Sequence, residues 1–374
     1  MLKNKIKYVF LKRTKEIIKL NYELFIAKRI IAGKEYKNSI SSPIIKIAIT
    51  AIALGIIIMM ISMAVGAGFQ HKIRDKISGF KGHVQITNYD DNNSEVSITP
   101  IDRHQEFYPN FTTISGIKKV QSVAYKGGMI RTETDFEGII FKGVSTDYDW
   151  SFFKEYLVAG KLPNFNQSRV RDVLVSQTLV NRLQLKLNDT IHTHFLKSTR
   201  NKLPSRYKLI VVGVYDTGFG QFDKNMIIGD IREVQRLNRW NENQIGGFEI
   251  LIDNFDEIQQ KGNEIYSEIG STLNSNTIVE NYDVIFEWIE LFDNNVWFII
   301  AIMILVASIN MITALLVLIL ERVQMVGVLK ALGSDNWSIR KIFLYNAVYL
   351  ILKGMFWGNV IGVSLLLVQH YFGL

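Results

Sequence analysis

The chain has 374 residues, of which 48% are apolar, and it carries a formal net charge of +8. This composition excludes a disordered or fibrous chain. The sequence contains no cysteine, so it has no disulfide framework, thiolate metal site or cysteine nucleophile.

Residues 1–43 precede the first long apolar run. Within residues 20–31 the apolar side chains mostly fall on one helical stripe, whereas Glu23, Lys28 and Arg29 lie towards another. This pattern predicts an amphipathic helix in the membrane interface. A soluble helix packed against a partner is the alternative interpretation.

Three long apolar segments predict membrane spans. They cover residues 44–70, 296–320 and 342–374, and Lys353 is the only charged residue of the third. A helix needs about 20 residues to cross a hydrocarbon core of roughly 30 Å. Buried core helices are the alternative, but they seldom reach such lengths.

The basic residues flanking these spans predict the orientation. Residues 1–46 hold 12 basic and 3 acidic residues, residues 321–341 hold 4 and 2, and residues 71–295 hold 26 and 30. Lysine and arginine near spans are retained on the cytoplasmic side, so we expect residues 71–295 to be extracytoplasmic. The positive charge is then a topology signal, and we expect no nucleic-acid partner.

The region between the first two spans is predicted to be an α+β domain, because strand and helix patterns occur in mixed order. The predicted strands are 173–177 and 208–215, and the predicted helices are 178–187, 231–237 and 256–273. From 278 to 295 an amphipathic pattern runs without Gly or Pro into the second span. It predicts a continuous helical stalk that carries movement of the domain into the membrane.

Motifs of catalysis are missing from the sequence. It has no G-x-x-x-x-G-K-[ST], H-E-x-x-H or G-x-S-x-G pattern. His192 and His194 have strand spacing and could share a face, but no carboxylate pattern accompanies them. We therefore predict no catalytic residue, no metal site and no cofactor bound by this chain.

Several residues within the spans are unusual. Gly354, Gly358 and Gly362 recur every four residues and leave a stripe where another helix can approach, either within the subunit or in a dimer. Asn310 is expected to make a hydrogen bond across a helix interface. Lys353 must snorkel, pair or line a wet cavity.

The connector 321–341 predicts a docking element for a soluble partner. Gly333 is a good helix stop, and Arg322 and Lys330 supply charge. Val328, Leu329 and Leu332 supply an apolar patch. The alternative is a solvated loop, but 21 residues is long for a featureless connector.

The connector resembles the coupling segment of FtsX-like and MacB-type permeases of ABC transporters, which follows the pattern E-R-x-x-E-I-G-x-L-K/R-A-L-G. Val326 is a conservative variant, and Met325 replaces the usual glutamate. The resemblance implies docking on a separate subunit that binds ATP and Mg. The matching residues are Glu321, Arg322, Gly327, Leu329, Lys330, Ala331, Leu332 and Gly333.

Further segments are similar to the periplasmic core of that superfamily, namely 158–163, 172–176, 183–191 and 211–215. Residues 24–30 and 68–86 are most similar to the lipoprotein-releasing LolC/LolE branch. The loop 197–206 resembles the hook loop of that branch, which recruits a periplasmic lipoprotein chaperone; a solvated hairpin tip is the alternative. The implied contacts are Arg200, Lys202, Leu203, Pro204 and Arg206.

The resemblance implies an α-helical membrane protein with a large periplasmic α+β domain, located in a bacterial inner membrane. It implies a dimer with a second copy or paralogue, and a fourth span that this sequence lacks. The implied function is release of lipoproteins to a chaperone, driven by a partner ATPase. MacB-like efflux, FtsX-like signal transmission, and a structural or sensory protein without an ATPase are the alternatives. From span geometry, the substrate would meet Met59, Met60, Met63, Val296 and Phe298.

Overall fold

The computed structural model describes residues 22–32, 41–91, 94–132, 135–166, 171–195 and 205–372. The chain divides into two compact units. A helical unit is drawn from Met1–Phe69 and Ile289–Leu374, and a β unit is formed by Gln70–Trp288.

The elements of the described residues have the following bounds. The helices are α1 (Tyr22–Ala32), α2 (Ser41–Lys81), α3 (Ser151–Glu155), α4 (Gln177–Leu183), α5 (Gly220–Asp223), α6 (Ile231–Asn238), α7 (Ile258–Glu268), α8 (Ile278–Asn281), α9 (Asp283–Glu321), α10 (Val323–Ala331) and α11 (Asn336–Phe372). The strands are β1 (Val84–Asn88), β2 (Ile101–Asp102), β3 (Ile117–Arg131), β4 (Phe136–Val144), β5 (Leu157–Gly160), β6 (Asp172–Ser176), β7 (Thr190–Phe195), β8 (Ser205–Tyr215), β9 (Met226–Asp230), β10 (Gln244–Ile245), β11 (Gly247–Ile252) and β12 (Leu273–Thr277).

Three helices of the described residues are long and apolar enough to cross a membrane. They are Ile45–Lys81 within α2, Asp283–Glu321 and Asn336–Phe372. Together with the strands and helices of the β unit, they confirm the predicted class of an α-helical membrane protein with a large α+β domain.

The helical unit has a small apolar cluster near the end of α9 and the beginning of α11. The buried members are Ile45, Leu318, Ile339, Phe343 and Leu350. Helix α1 also packs on α11: Ser338 Oγ donates to Glu23 Oε1 at 3.1 Å, and Lys341 Nζ lies 3.9 Å from the same oxygen. One face of α1 is therefore held within the chain, whereas Leu24 and Phe25 remain exposed.

The β unit is built on a mixed sheet to which ten strands of the described residues contribute. Six of these strands form a closed circuit. Its pairings are β3–β4, β4–β9, β9–β6, β6–β8, β8–β7 and β7–β3. Beyond β3, the sheet continues through β11 and β1 to β12, and β5 extends it from β8. Within the circuit, β4–β9 and β6–β8 are parallel pairs and the others are antiparallel.

The inside of the closed circuit is apolar. Alternation along the strands directs Phe141, Phe195 and Ile130 inwards, and each is at most 1% exposed. Gly229 makes room for the larger rings, because a Cβ there would lie 2.6 Å from the ring of Phe141. Other inward residues are Ile139, Val173, Val175, Ile191, Leu209, Val211 and Ile227.

Most predicted elements of the β unit are present, but several helix ends differ from the prediction. Strands β6 and β8 and helix α6 occur where the sequence predicts them. Helix α4 ends at Leu183 because Gln184 adopts a left-handed conformation at φ 52°. The helix predicted to continue to Leu273 is wrong in its last part: Ile269 is extended, and Leu273 pairs with Asn88 in the sheet.

The predicted stalk is interrupted at its first turn. Thr277 and Glu280 form a capping box, in which Thr277 Oγ accepts from Glu280 N and the Glu280 carboxylate accepts from Thr277 N. This box begins the short helix α8, which ends before Tyr282 at φ −126° and ψ 39°. The long helix begins only at Asp283 and then continues without a break to Glu321.

A buried lysine joins the end of α2 to the sheet. Lys142 Nζ donates to Phe80 O at 2.6 Å, to Glu249 Oε2 at 2.8 Å and to Tyr148 Oη at 3.2 Å. An ammonium group has three donors, so all of them are used. Phe80 O is one of the last carbonyls of the helix, which have no partner within it and lie at the negative end of its dipole.

Removing Lys142 is expected to destabilise the protein strongly. In Lys142→Met the Glu249 carboxylate, fully buried in this structure, is left without its counter-charge, which typically costs about 3–5 kcal/mol. In the double variant Lys142→Met/Glu249→Met, neither member of this ion pair is left without the other, so we expect a smaller loss. Guanidinium unfolding of both variants measures the difference. A single variant that is no less stable than the double variant would contradict this account.

Candidate functional site

The connector between α9 and α11 folds into one short helix, α10, with a well-formed end. Ser334 N donates to Leu329 O and Gly333 N donates to Lys330 O, each at 3.0 Å. These two bonds form a Schellman motif, whose left-handed position is occupied by Gly333 at φ +90°. The helix therefore stops where the sequence predicts.

One side of α10 is held within the helical unit. Met325 and Val326 pack against the cluster of buried residues at the end of α9, and Leu329 is half-buried. Arg322 lies between α9 and α10 with its backbone outside the helical region, at φ −105° and ψ 20°. Met325, the connector residue that departs from the family pattern, thus packs within the helical unit.

The other side of α10 is exposed and partly apolar. Val328 is 60% exposed and Leu332 is 78% exposed. Gly327 lies on this side, and a Cβ added there would meet no atom within 4 Å. A helix-interior glycine is less favourable than alanine by about 0.5–1 kcal/mol. Glu321, Lys330, Ala331 and Gly333 are exposed as well.

The beginning of α11 is also partly exposed. Asp335 caps the helix by accepting from Trp337 N at 3.2 Å and from Ser338 N at 3.3 Å. The hydrogen bond from Ser338 lowers the pKa of the Asp335 carboxyl, so the cap is charged at neutral pH. Trp337 is 60% exposed beside it. The connector thus offers separate apolar side chains on two capped helices.

The glycine stripe of α11 packs against α2. A Cβ on Gly354 would lie 2.7 Å from Ile52 Cγ2, and one on Gly358 would lie 3.0 Å from Ala53 O. A Cβ on Gly362 would lie 2.8 Å from Met60 Sδ. All three glycines are used by contacts within this chain.

The residues predicted from span geometry to meet the substrate lie on α2 and α9. Met60 lies next to the glycine stripe, and Val296 lies by Gly66, whose added Cβ would be 3.5 Å from it. Met63 is 55% exposed and Phe298 is 69% exposed. Met59 is half-buried in α2.

Three other polar or charged residues lie within the spans. Lys353 Nζ lies 5.7 Å from the centre of the Tyr349 ring, one turn earlier in α11. Asn310 is half-buried in α9. Asn346 is buried in α11 and donates through Nδ2 to Ile342 O at 3.0 Å.

The predicted chaperone-binding loop lies mostly outside the described residues, including Arg200, Lys202, Leu203 and Pro204. Arg206 is described, and in β8 it pairs with His194 of β7. His192 and His194 are on the outward face of β7, since Ile191, Thr193 and Phe195 alternate with them and are buried. Among the residues that the structure describes, no group of three or more His, Asp or Glu side chains could hold a metal ion.

Sequence reasoning missed the buried network around Glu249. Gln121 Nε2 donates to Glu249 Oε2 at 3.2 Å, and the Tyr125 hydroxyl donates to Glu249 Oε1. Burial lowers the pKa of Lys142 and raises the pKa of Tyr125 and Tyr148 well above the usual value. The one available signal is the position of Lys142 and Glu249 inside otherwise apolar strand segments.

The three long apolar helices and the β unit define a membrane protein with one large α+β domain between its first two spans. Residues 47–265 match the MacB-like periplasmic core domain, which is more than half of the chain, and residues 297–372 match the FtsX-like permease C-terminal domain. The chain therefore belongs to the FtsX-like permeases with a MacB-like periplasmic core, a family of ABC-transporter permease subunits that are not themselves catalytic.

Curated relatives cover most of the chain at low identity. The lipoprotein-releasing system transmembrane protein LolE of Haemophilus influenzae is 19% identical over 93% of this chain and 83% of the relative. The corresponding LolC of Neisseria meningitidis is 22% identical over 92% of this chain and 81% of the relative. These matches confirm the predicted family resemblance.

Two solved structures are also similar to parts of the chain. The extracellular domain of the ABC-type transporter YknZ from Gram-positive bacteria has a TM-score of 0.34 at 14% identity, covering 52% of this chain and 99% of that one. The periplasmic region of MacB from Actinobacillus actinomycetemcomitans has a TM-score of 0.36 at 16% identity, covering 55% and 92%. The assignment rests on the sequence matches.

Substitution of a packed glycine in α11 is expected to destabilise the helical unit. The side chain in Gly358→Leu would press on the backbone of Ala53, and overpacking typically costs about 1–3 kcal/mol. The matched control is Gly68→Leu in α2, where a Cβ meets no atom within 4 Å. Thermal unfolding in detergent compares the two variants. An equal loss of stability in both would show that the glycine stripe is not needed for this contact.

Proposed function

We propose that this chain is a permease subunit that couples ATP hydrolysis on a separate subunit to movement of its β unit, and thereby releases lipoproteins from the bacterial inner membrane. In this proposal ATP and Mg are bound by the partner subunit. The β unit faces the periplasm, and a second copy or a paralogue completes the permease. The named relatives LolE and LolC support the choice of lipoproteins as substrate.

The observation that carries the coupling is the exposed apolar side of α10. Val328 of α10 and Leu332 at its end are exposed, although burial of such side chains is favourable by about 1.5–3 kcal/mol each. Because Met325 and Val326 fix the other side of the helix, a subunit docked on α10 would push on the ends of α9 and α11. The capped ends of both connector helices support a rigid docking element.

Lipoprotein release requires work of this kind. Withdrawing an acyl chain from a membrane costs about 0.8 kcal/mol for each buried methylene. Spontaneous release is therefore slow for a protein with several long chains. In the proposed mechanism, movement of α2 and α9 supplies the work, because both helices run from the helical unit into the β unit.

The docking surface is tested by adding charge to α10. We expect Val328→Glu to abolish stoichiometric co-purification of the ATP-binding subunit, since the carboxylate would be buried without a partner. The matched control is Val158→Glu, a similarly exposed valine in β5 of the β unit, which should leave the association intact. Co-purification from detergent extracts is the measurement. Unchanged association of the Val328→Glu variant would refute docking on this side of α10.

The lipoprotein pathway is tested separately at the loop 197–206. A photo-activated crosslinking residue placed there should capture a periplasmic lipoprotein chaperone, because the loop is basic and such a surface attracts an acidic partner. The same residue at Lys224, an exposed position elsewhere in the β unit, is the control. If neither position captures a chaperone, the chaperone is removed from the proposal. The proposed coupling through α10 is not affected by that result.

A further inference from the structure

One aromatic side chain of the β unit touches both long helices. Phe255 opens the short 3-10 turn Phe255–Glu257 that follows β11. The guanidinium carbon of Arg74, in the last turns of α2, lies 4.9 Å from the centre of its ring. The ring of Phe286, in the first turn of α9, stacks on it with centroids 6.0 Å apart and planes 15° apart.

The turn that carries Phe255 is fixed by its own hydrogen bonds. Asn254 Oδ1 accepts from Asp256 N at 3.1 Å, and Asn254 Nδ2 donates to Glu257 Oε1 at 3.0 Å. Asp253 N donates to Gly116 O at 3.0 Å, at the beginning of β3. The turn that carries the Phe255 ring is therefore attached to the sheet.

Arg74 is bound to the turn by charge as well as by the ring. Its Nη1 lies 3.4 Å from Asp256 Oδ1, while its Nε is buried without a hydrogen-bond acceptor among the described residues. The guanidinium also lies over the Phe255 ring, whose π electrons attract the cation. Phe286 is only 7% exposed, so its side of the contact is closed to solvent.

Contacts of this kind differ from ordinary core packing. Phe255 is only half-buried and belongs to a connecting turn, and its ring neighbours are Arg74, Phe286 and His83, which lies 5.8 Å away. Two of these three partners are on the helices that lead into the spans. A change in the separation of those helices must therefore break or carry along the Phe255 contacts.

We propose that Phe255 is a positioning residue that sets the separation between the last turns of α2 and the first turn of α9, and that helix movement reaches the sheet through it. The first part depends only on the contacts within the β unit. The second part rests on the proposed function, since it needs movement driven by a partner ATPase. The two parts require separate readouts.

The separation is measured with two spin labels on the full chain. The sequence has no cysteine, so His71→Cys and Val284→Cys, both at exposed positions, give a uniquely labelled pair. Phe255→Ala is expected to broaden the distance distribution between the labels, and Phe255→Tyr, which keeps the ring, should restore it. Tyr266→Ala, an exposed aromatic residue of α7, is the matched control and should leave the distribution narrow.

Coupling is measured on the reconstituted complex with its ATP-binding subunit. Phe255→Ala should keep the KM for ATP but lower the lipoprotein released per ATP hydrolysed by roughly tenfold, equivalent to about 1.4 kcal/mol. Tyr266→Ala should keep both values. If Phe255→Ala does not fold, as judged by thermal unfolding, Arg74→Gln removes the cation from the same contact and takes its place.

The outcomes separate the two proposals. An unchanged distance distribution in Phe255→Ala overturns the positioning role, whatever the transport result. A broadened distribution with unchanged release per ATP overturns the role in coupling. If the wild-type complex shows no ATP-dependent release at all, the proposed function fails and the coupling part fails with it, while the labels still decide the positioning part.

Discussion

The buried side chain of Lys142 links the end of α2 to the sheet. Lys142 donates hydrogen bonds to a helix carbonyl, a carboxylate and a phenol. The carbonyl oxygen of Phe80, at the end of α2, therefore has this hydrogen-bond donor only when β4 and β11 are in place. Gly82 then turns the chain at φ +70°, where a Cβ would lie 2.9 Å from Glu249 Cβ. His83 N donates to Ile250 O, and β1 begins in its register beside β11. The last turn of α2 and the central strands are thus held together within the β unit.

Local sequence patterns identified the features that depend on nearby residues. The spans followed from long runs without charge, and β6 and β8 followed from β-branched residues between turn formers. The end of α10 also followed from the sequence, because a Schellman motif needs only Gly333 and a few preceding carbonyls. The connector could be recognised for the same reason.

Features that depend on distant residues could not be predicted. Lys142 and Glu249 are 107 residues apart in the chain, and nothing local pairs them. The helix predicted up to Leu273 stops early because the strand partner of that residue is Asn88. The stalk breaks at Tyr282, whose ring packs on Phe222, although no Gly or Pro marks the break. In the two helices, a tertiary contact outweighed the local preference.

The closed circuit of strands also affects how the β unit behaves before assembly. A sheet edge with unpaired N–H and C=O groups is a template for pairing with another chain. In the ten-stranded sheet formed by the described residues, the two ends of the strand order are β12 and β5, with five and four residues. The long strands β3 and β8 each pair with three strands of the same molecule along their length. The β unit therefore presents little template for intermolecular aggregation.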